Sequence, residues 1–82
     1  MAQATEYRAR VTFQFDTLDP ALTRMLDLAR TTGWREIELT TPTAKTFRVL
    51  ISQDFAVLDN ARSWIKSMAA LGNFENATIT QK

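Results

Sequence analysis

The sequence predicts an α+β plait, one four-stranded sheet carrying two helices on a single face, and three observations predict it. Tyr7, Ala9, Val11, Phe13 and Phe15 alternate with Arg8, Arg10, Thr12 and Gln14, which is the period of a half-buried strand. Two stretches, Leu18 to Ala29 and Val57 to Leu71, repeat apolar residues at helical spacing. Three more strand-like runs lie between and after them, giving the order β-α-β-β-α-β.

The first run is long and rich in aromatic and β-branched residues, so it belongs in the middle of the sheet. Residues 1–4 before it are expected to fray. Thr17-Leu18-Asp19-Pro20 reads as the start of the first helix. Asp19 is expected to accept from the free N–H groups of the first turn, with Pro20 at the first helical position. Leu18, Leu22, Met25, Leu26 and Ala29 form the apolar stripe, Ala21 and Leu28 widen it, and Arg24, Asp27 and Arg30 fall to the wet side. Gly33 suits the left-handed residue past the helix end, and Trp34 should fold back over that end as a packing anchor.

Arg35 to Thr41 alternates again, with Ile37 and Leu39 inward. Pro42 to Lys45 is a turn, and Thr46 to Ser52 returns with Phe47, Val49 and Ile51 inward and Arg48 and Leu50 outward. Asp54 is read as the cap of the second helix, which turns Val57, Leu58, Ala61, Trp64, Ile65, Met68 and Leu71 to the core and closes at Gly72. The last strand runs from about Phe74 to Thr80. Phe74 is out of phase with Ala77 and Ile79, which predicts a bulge or a late strand start. Joined in this order, the elements make a ferredoxin-like split β-α-β plait: a four-stranded antiparallel sheet, order 4-1-3-2, in one domain spanning residues 1–82. Strands one and three are the central pair, read as parallel across the crossover.

Ten basic side chains face nine acidic ones, a balance that speaks against a nucleic-acid partner. The chain has no cysteine and no histidine, which removes disulfides, thiolate metal sites, and the commonest general base and metal ligand. No apolar stretch approaches the ~20 residues of a membrane span. The start shows no basic cluster and no apolar run, so no signal peptide is read there. A cytoplasmic location with no membrane partner is the expectation. Asn76-Ala77-Thr78 matches a glycosylation acceptor pattern and is taken as chance.

The open sheet face offers Arg8, Arg10 and Arg48 as candidate partner-binding residues, with Glu36 and Glu38 in cross-strand reach to offset them. An RNA-recognition plait stacks bases on aromatic side chains at these positions, and here the aromatics are in the inward phase. The loop after strand one, Asp16-Thr17-Leu18-Asp19, is acidic and would repel phosphate. Asp16, Asp19 and Asp54 can be imagined as a carboxylate metal site, but capping is the preferred reading of Asp19 and Asp54. No histidine activates the hydroxyls, and Lys45, Lys66 and Lys82 are expected to be exposed. The chain is therefore read as a non-enzyme that needs no cofactor and no metal.

Arg10 to Phe15, Leu22 to Arg30, Gly33-Trp34, and Gly72 to Ile79 together resemble the ACT regulatory domains. The likeness is nearest to the short form found as the regulatory small subunit of acetolactate synthase. It covers nearly the whole chain and lies in lengths and apolar positions. ACT domains carry a glycine in the loop between strand one and helix one, and this chain has Ala21 there. The resemblance implies a non-catalytic module that binds a small amino acid at a dimer interface. Amides of Ala21 and Leu22 would hold the carboxylate and Asp16, beside Asp19, the ammonium group. It also implies a homodimer paired edge to edge through Arg35 to Thr41, docked on a catalytic subunit that holds the cofactor. Glu36 and Glu38 on that edge read equally well as guards against pairing. Two other readings stand beside it. One is a free-standing plait that binds another protein through its open face. The other is a designed plait with no biological task, against which Thr31-Thr32 and the irregular Pro42-to-Lys45 turn are not idealised choices.

Overall fold

The structure, a computed structural model, describes residues 6–81. Residues 1–4 and Lys82, expected to fray and to be exposed, lie outside the described residues. The elements are β1 (Tyr7–Phe15), α1 (Leu18–Thr31), β2 (Glu36–Thr43), β3 (Thr46–Phe55), α2 (Leu58–Ala69) and β4 (Phe74–Gln81). The sheet order is β2-β3-β1-β4, which is the expected 4-1-3-2 read from the other edge.

Every strand pair is antiparallel, β1 with β3, β1 with β4, and β2 with β3. The parallel pairing of the two central strands is thus corrected. The crossover through α1 returns β2 in the direction of β1, and the hairpin then reverses β3.

Ala9, Val11, Phe13 and Phe15 of β1 are buried, as the alternation requires, beside Val49 and Ile51 of β3. Ala21 and Leu28 of α1 and Ala61 and Met68 of α2 close the core from above. α1 lies over β2, β3 and β1, and α2 over β1, β3 and β4.

Both helix starts differ from expectation. α1 is capped by extended Thr17 and α2 by extended Val57, neither with a side-chain cap hydrogen bond. Asp19 falls inside the first turn of α1, where its charge favours the positive end of the helix dipole, with Pro20 one residue further on. Asp54 is no cap at all. It stays in β3, which runs past Ser52 to Phe55, and takes two bonds from Arg8 across the sheet, Nε to Oδ1 at 2.9 Å and Nη2 to Oδ2 at 3.4 Å. A cross-strand partner outcompetes the local capping role.

The helix ends also divide. The second helix closes earlier than expected, on right-handed Ala70, and the left-handed residues, Gly72 with φ 90° and Asn73 with φ 60°, form the turn that leads into β4. α1 instead stops at Thr32, whose φ of −135° is extended, and Gly33 does not take a positive φ. A Cβ there would lie 2.8 Å from Gln53 Nε2, the far end of a flexible side chain that can shift, so neither backbone nor packing demands glycine at this place. Trp34 does fold back over the helix end, its Nε1 donating to the Ala29 carbonyl at 3.3 Å. Pro42 and Thr43 belong to β2, and the β2–β3 register shifts between Thr40 and Thr43. The bulge forms as well: the β1–β4 register shifts between Thr12 and Phe13, bringing Phe74 opposite Phe13. Their rings meet edge to face at 6.5 Å.

Candidate functional site

Three surfaces are built by this arrangement: a polar cleft at one end of the sheet, the open sheet face, and the two outer flanks of the helices. β1 ends and β4 begins at the same end of the sheet. The backbone amide of Gln14 donates to the Asn73 carbonyl at 2.9 Å, and Asn73 Nδ2 donates to the Gln14 carbonyl at 3.0 Å. Beside this pair of hydrogen bonds between strand end and left-handed turn lies a cleft of about 310 Å³ lined by Gln14, Asp16, Asn73, Phe74 and Glu75. Glu75 is already matched by Arg48, whose Nη2 donates to Oε2 at 3.1 Å while Nε lies 3.0 Å from Oε1. Asp16 makes no ion pair among the described residues, so it is the negative charge the cleft has to offer.

Of the candidate ligand residues, only Asp16 lines this cleft. Asp19 is exposed on the first turn of α1. Ala21 is fully buried in the core, and Leu22 is largely exposed. Because α1 begins at Leu18, the amides of Ala21 and Leu22 fall within its i to i−4 ladder. The free amides of the helix start are therefore one turn earlier, at Thr17, Leu18 and Asp19. Asp54 lies opposite Arg8 at the far end of β1 from Asp16, so the three aspartates are not brought together.

The open face is largely self-neutralised. Arg8 is bound by Asp54, which holds its guanidinium above the ordinary value, chiefly through that hydrogen bond. Arg35 adds weak contacts to Asp54 at 3.8 Å and Glu36 at 3.9 Å, and Arg48 is bound by Glu75. The offsetting carboxylates are thus Asp54 and Glu75 rather than the expected Glu36 and Glu38 alone. Arg10 stands exposed opposite Ser52 with no ion pair among the described residues. The Ser52 side chain is buried at 1% exposure, and its Oγ has no hydrogen-bond partner among the described residues.

Arg24, assigned by its spacing to the wet side, turns inward. Its guanidinium lies 4.9 Å from the ring centre of Phe13 and 5.4 Å from that of Phe15. It donates to the Leu71 carbonyl at 2.8 Å and the Gly72 carbonyl at 2.7 Å. Burial pushes its pKa below the ordinary value, and the charge is kept. Trp64 of α2 reaches the other way, donating to Thr32 Oγ1 at 2.9 Å.

These two contacts mark the inner flanks of the helices. At 3.6 residues per turn, Leu18, Leu22 and Leu26 then fall on the outer flank of α1, beside β2. They are 45%, 37% and 53% exposed. Arg62 and Lys66 fall on the outer flank of α2, beside β4. One edge of the molecule is apolar above the sheet and the other is basic.

No family model matches the chain, and no curated protein matches it. Among solved structures it is similar to the ACT domain from GTP pyrophosphokinase of Chlorobium tepidum, determined by solution NMR. The TM-score is 0.65 at 7% identity, over 95% of this chain and 89% of that one. At that identity the likeness is one of fold, and the fold is ACT-like. No helix among the described residues is long and apolar enough to cross a membrane.

Proposed function

We propose that this chain is a non-catalytic regulatory module of the ACT type that binds a small amino acid and pairs with a second copy of itself. The observation that carries the reading is the cleft at the end of β1, where Asp16 stands without an ion-pair partner among the described residues, beside Gln14, Asn73 and the ring of Phe74. Asp16 takes the ammonium group. The α-carboxylate goes to the amides at the start of α1, which has no side-chain cap of its own. The side chain rests on Phe74, which is 37% exposed.

The resemblance to the small subunit of acetolactate synthase makes valine, leucine and isoleucine the first ligands to test, and a larger catalytic subunit the docking partner. Titration calorimetry and thermal shift with these amino acids test the reading; no heat and no shift would sink it. Asp16→Asn keeps the shape and removes the charge, so affinity should fall at least ~10-fold with folding unchanged.

The second copy pairs through β2 and the apolar flank of α1. Strand pairing about a two-fold at Leu39 sets Glu38 against Thr40 and keeps the two pairs of glutamates apart. Leu22 and Leu26 of the two copies then meet above the joined sheet. Sedimentation at micromolar concentrations should show a dimer, and Leu26→Glu should weaken it at least ~10-fold, since a two-fold contact feels the change twice. A parent protein that stays monomeric at tens of micromolar overturns the dimer and leaves the ligand reading standing.

A further inference from the structure

We infer that the edge of β4, with the groove between β4 and α2, binds an extended partner segment in which acidic and apolar residues alternate. This goes beyond the ligand and dimer reading and needs neither. β4 is the last strand of the sheet, so one side of its backbone has no neighbouring strand. Residues 76–81, Asn-Ala-Thr-Ile-Thr-Gln, contain no charge and no proline. Exposed edges in stable proteins are blunted by such residues. The other edge, β2, carries Glu36, Glu38 and Pro42, which restrict it to a partner that sets each glutamate against an uncharged residue, as the two-fold at Leu39 does. An unblunted row of N–H and C=O groups is a template for one more strand.

The groove supplies the side-chain recognition. It encloses about 430 Å³ between Arg62, Ile65 and Lys66 of α2 and Ala77, Thr78 and Ile79 of β4. Ile65, Ala77 and Ile79 make an apolar floor. Alternate side chains of an added strand fall over that floor, and the rest fall on the open face. Arg62 and Lys66 stand at the rim on the helix side. Asp59 approaches Arg62 only to 3.8 Å, with both side chains exposed, so that pair neutralises little. On the open face Arg10 lies directly behind Thr78 and has no ion pair among the described residues. Cations therefore flank the added strand on both faces, and apolar surface lies beneath it.

The same charges argue against a second copy in this place. A two-fold contact through β4 sets one flank against itself, so Arg62 and Lys66 of both copies would converge. A head-to-tail contact would set the leucines of α1 against Arg62 and Lys66, and would propagate as an open filament. An acidic, alternating segment of another protein meets neither obstacle.

The test uses the whole chain, labelled for amide NMR, titrated with a short peptide alternating glutamate and valine and with its lysine–valine counterpart. Shifts should concentrate on Ala77 to Thr80 and on Arg62 to Lys66, and the lysine peptide should bind at least ~10-fold more weakly. Arg10→Glu, on the face where the acidic side chains of the segment fall, should reverse that preference while the spectrum keeps its dispersion. Shifts that map to β2, equal binding of the two peptides, or no shift at millimolar glutamate peptide each overturn the inference. The peptide comparison in the parent protein decides the matter even where the variant does not fold.

Discussion

Phe13→Ala should cost about 3–5 kcal/mol of stability, the largest single-residue effect expected in this chain. Phe13 is the largest side chain that is fully buried, at the centre of β1. Its ring is the joint between three parts of the molecule: β1 itself, the start of β4 through Phe74, and α1 through the Arg24 guanidinium. Truncation leaves a cavity and also removes the surface on which Arg24 and Phe74 rest. A domain of this length has about 4–12 kcal/mol to lose, so the variant should sit at or near the edge of folding. Urea unfolding measures the loss; Phe13→Leu, which keeps most of the volume, should cost no more than about 1.5 kcal/mol. A Phe13→Ala protein that loses less than about 1 kcal/mol (no more than a third of the expected effect) would mean the core collapses around the gap.

What the sequence could reveal followed from how locally each feature is encoded. The faces of β1 are set by side chains two residues apart, and all of them fall where alternation puts them, from Ala9 to Phe15. Gly72 is a local conformational need, and it too is legible. The bulge before Ala77 was readable as a phase error in Phe74. The features that escaped join residues far apart in the chain. Asp54 looks like a helix cap until Arg8, 46 residues away, takes it into the sheet. Gly33 looks like a left-handed stop, but α1 ends on extended Thr32 and Gly33 takes no positive φ, its near neighbour being Gln53 of β3.

The cleft was half legible. Asp16 stood out as an acidic residue just past the strand, but Asn73, Phe74 and Glu75 reach it only because β4 starts beside the end of β1. The bulge was the available clue, since shifting the phase of β4 is what sends Glu75 toward Arg48. Ala21 and Leu22 were misplaced by one helical turn, because Asp19-Pro20 resembles a helix start more than Thr17-Leu18 does.

Arg24→Ala is the second large effect, about 2–3 kcal/mol, and it connects the stability of the fold to the shape of the cleft. Helical spacing assigns the side chain to the wet side, which alone would make its loss nearly neutral. Its contacts say otherwise. Two N–H groups satisfy carbonyls just past the last turn of α2, where the helix dipole is negative, and the cationic plane covers the rings of Phe13 and Phe15. Against this stands the hydration the guanidinium gives up on burial, the cause of its lowered pKa, which keeps the net figure below the sum of its contacts. Arg24→Lys keeps the charge but not the two-pronged geometry, so it should recover less than half of the loss. The carbonyls it holds belong to Leu71 and Gly72, and the next residue, Asn73, is the one doubly bonded to Gln14 at the cleft. Removing Arg24 should therefore free the 71–75 turn as well as destabilise the whole. Amide exchange at Asn73 to Glu75 should speed up more than the global loss requires, and an amino-acid ligand should bind more weakly even where the protein is fully folded. Uniformly faster exchange across all strands would show that Arg24 supports the fold and has no separate hold on the cleft.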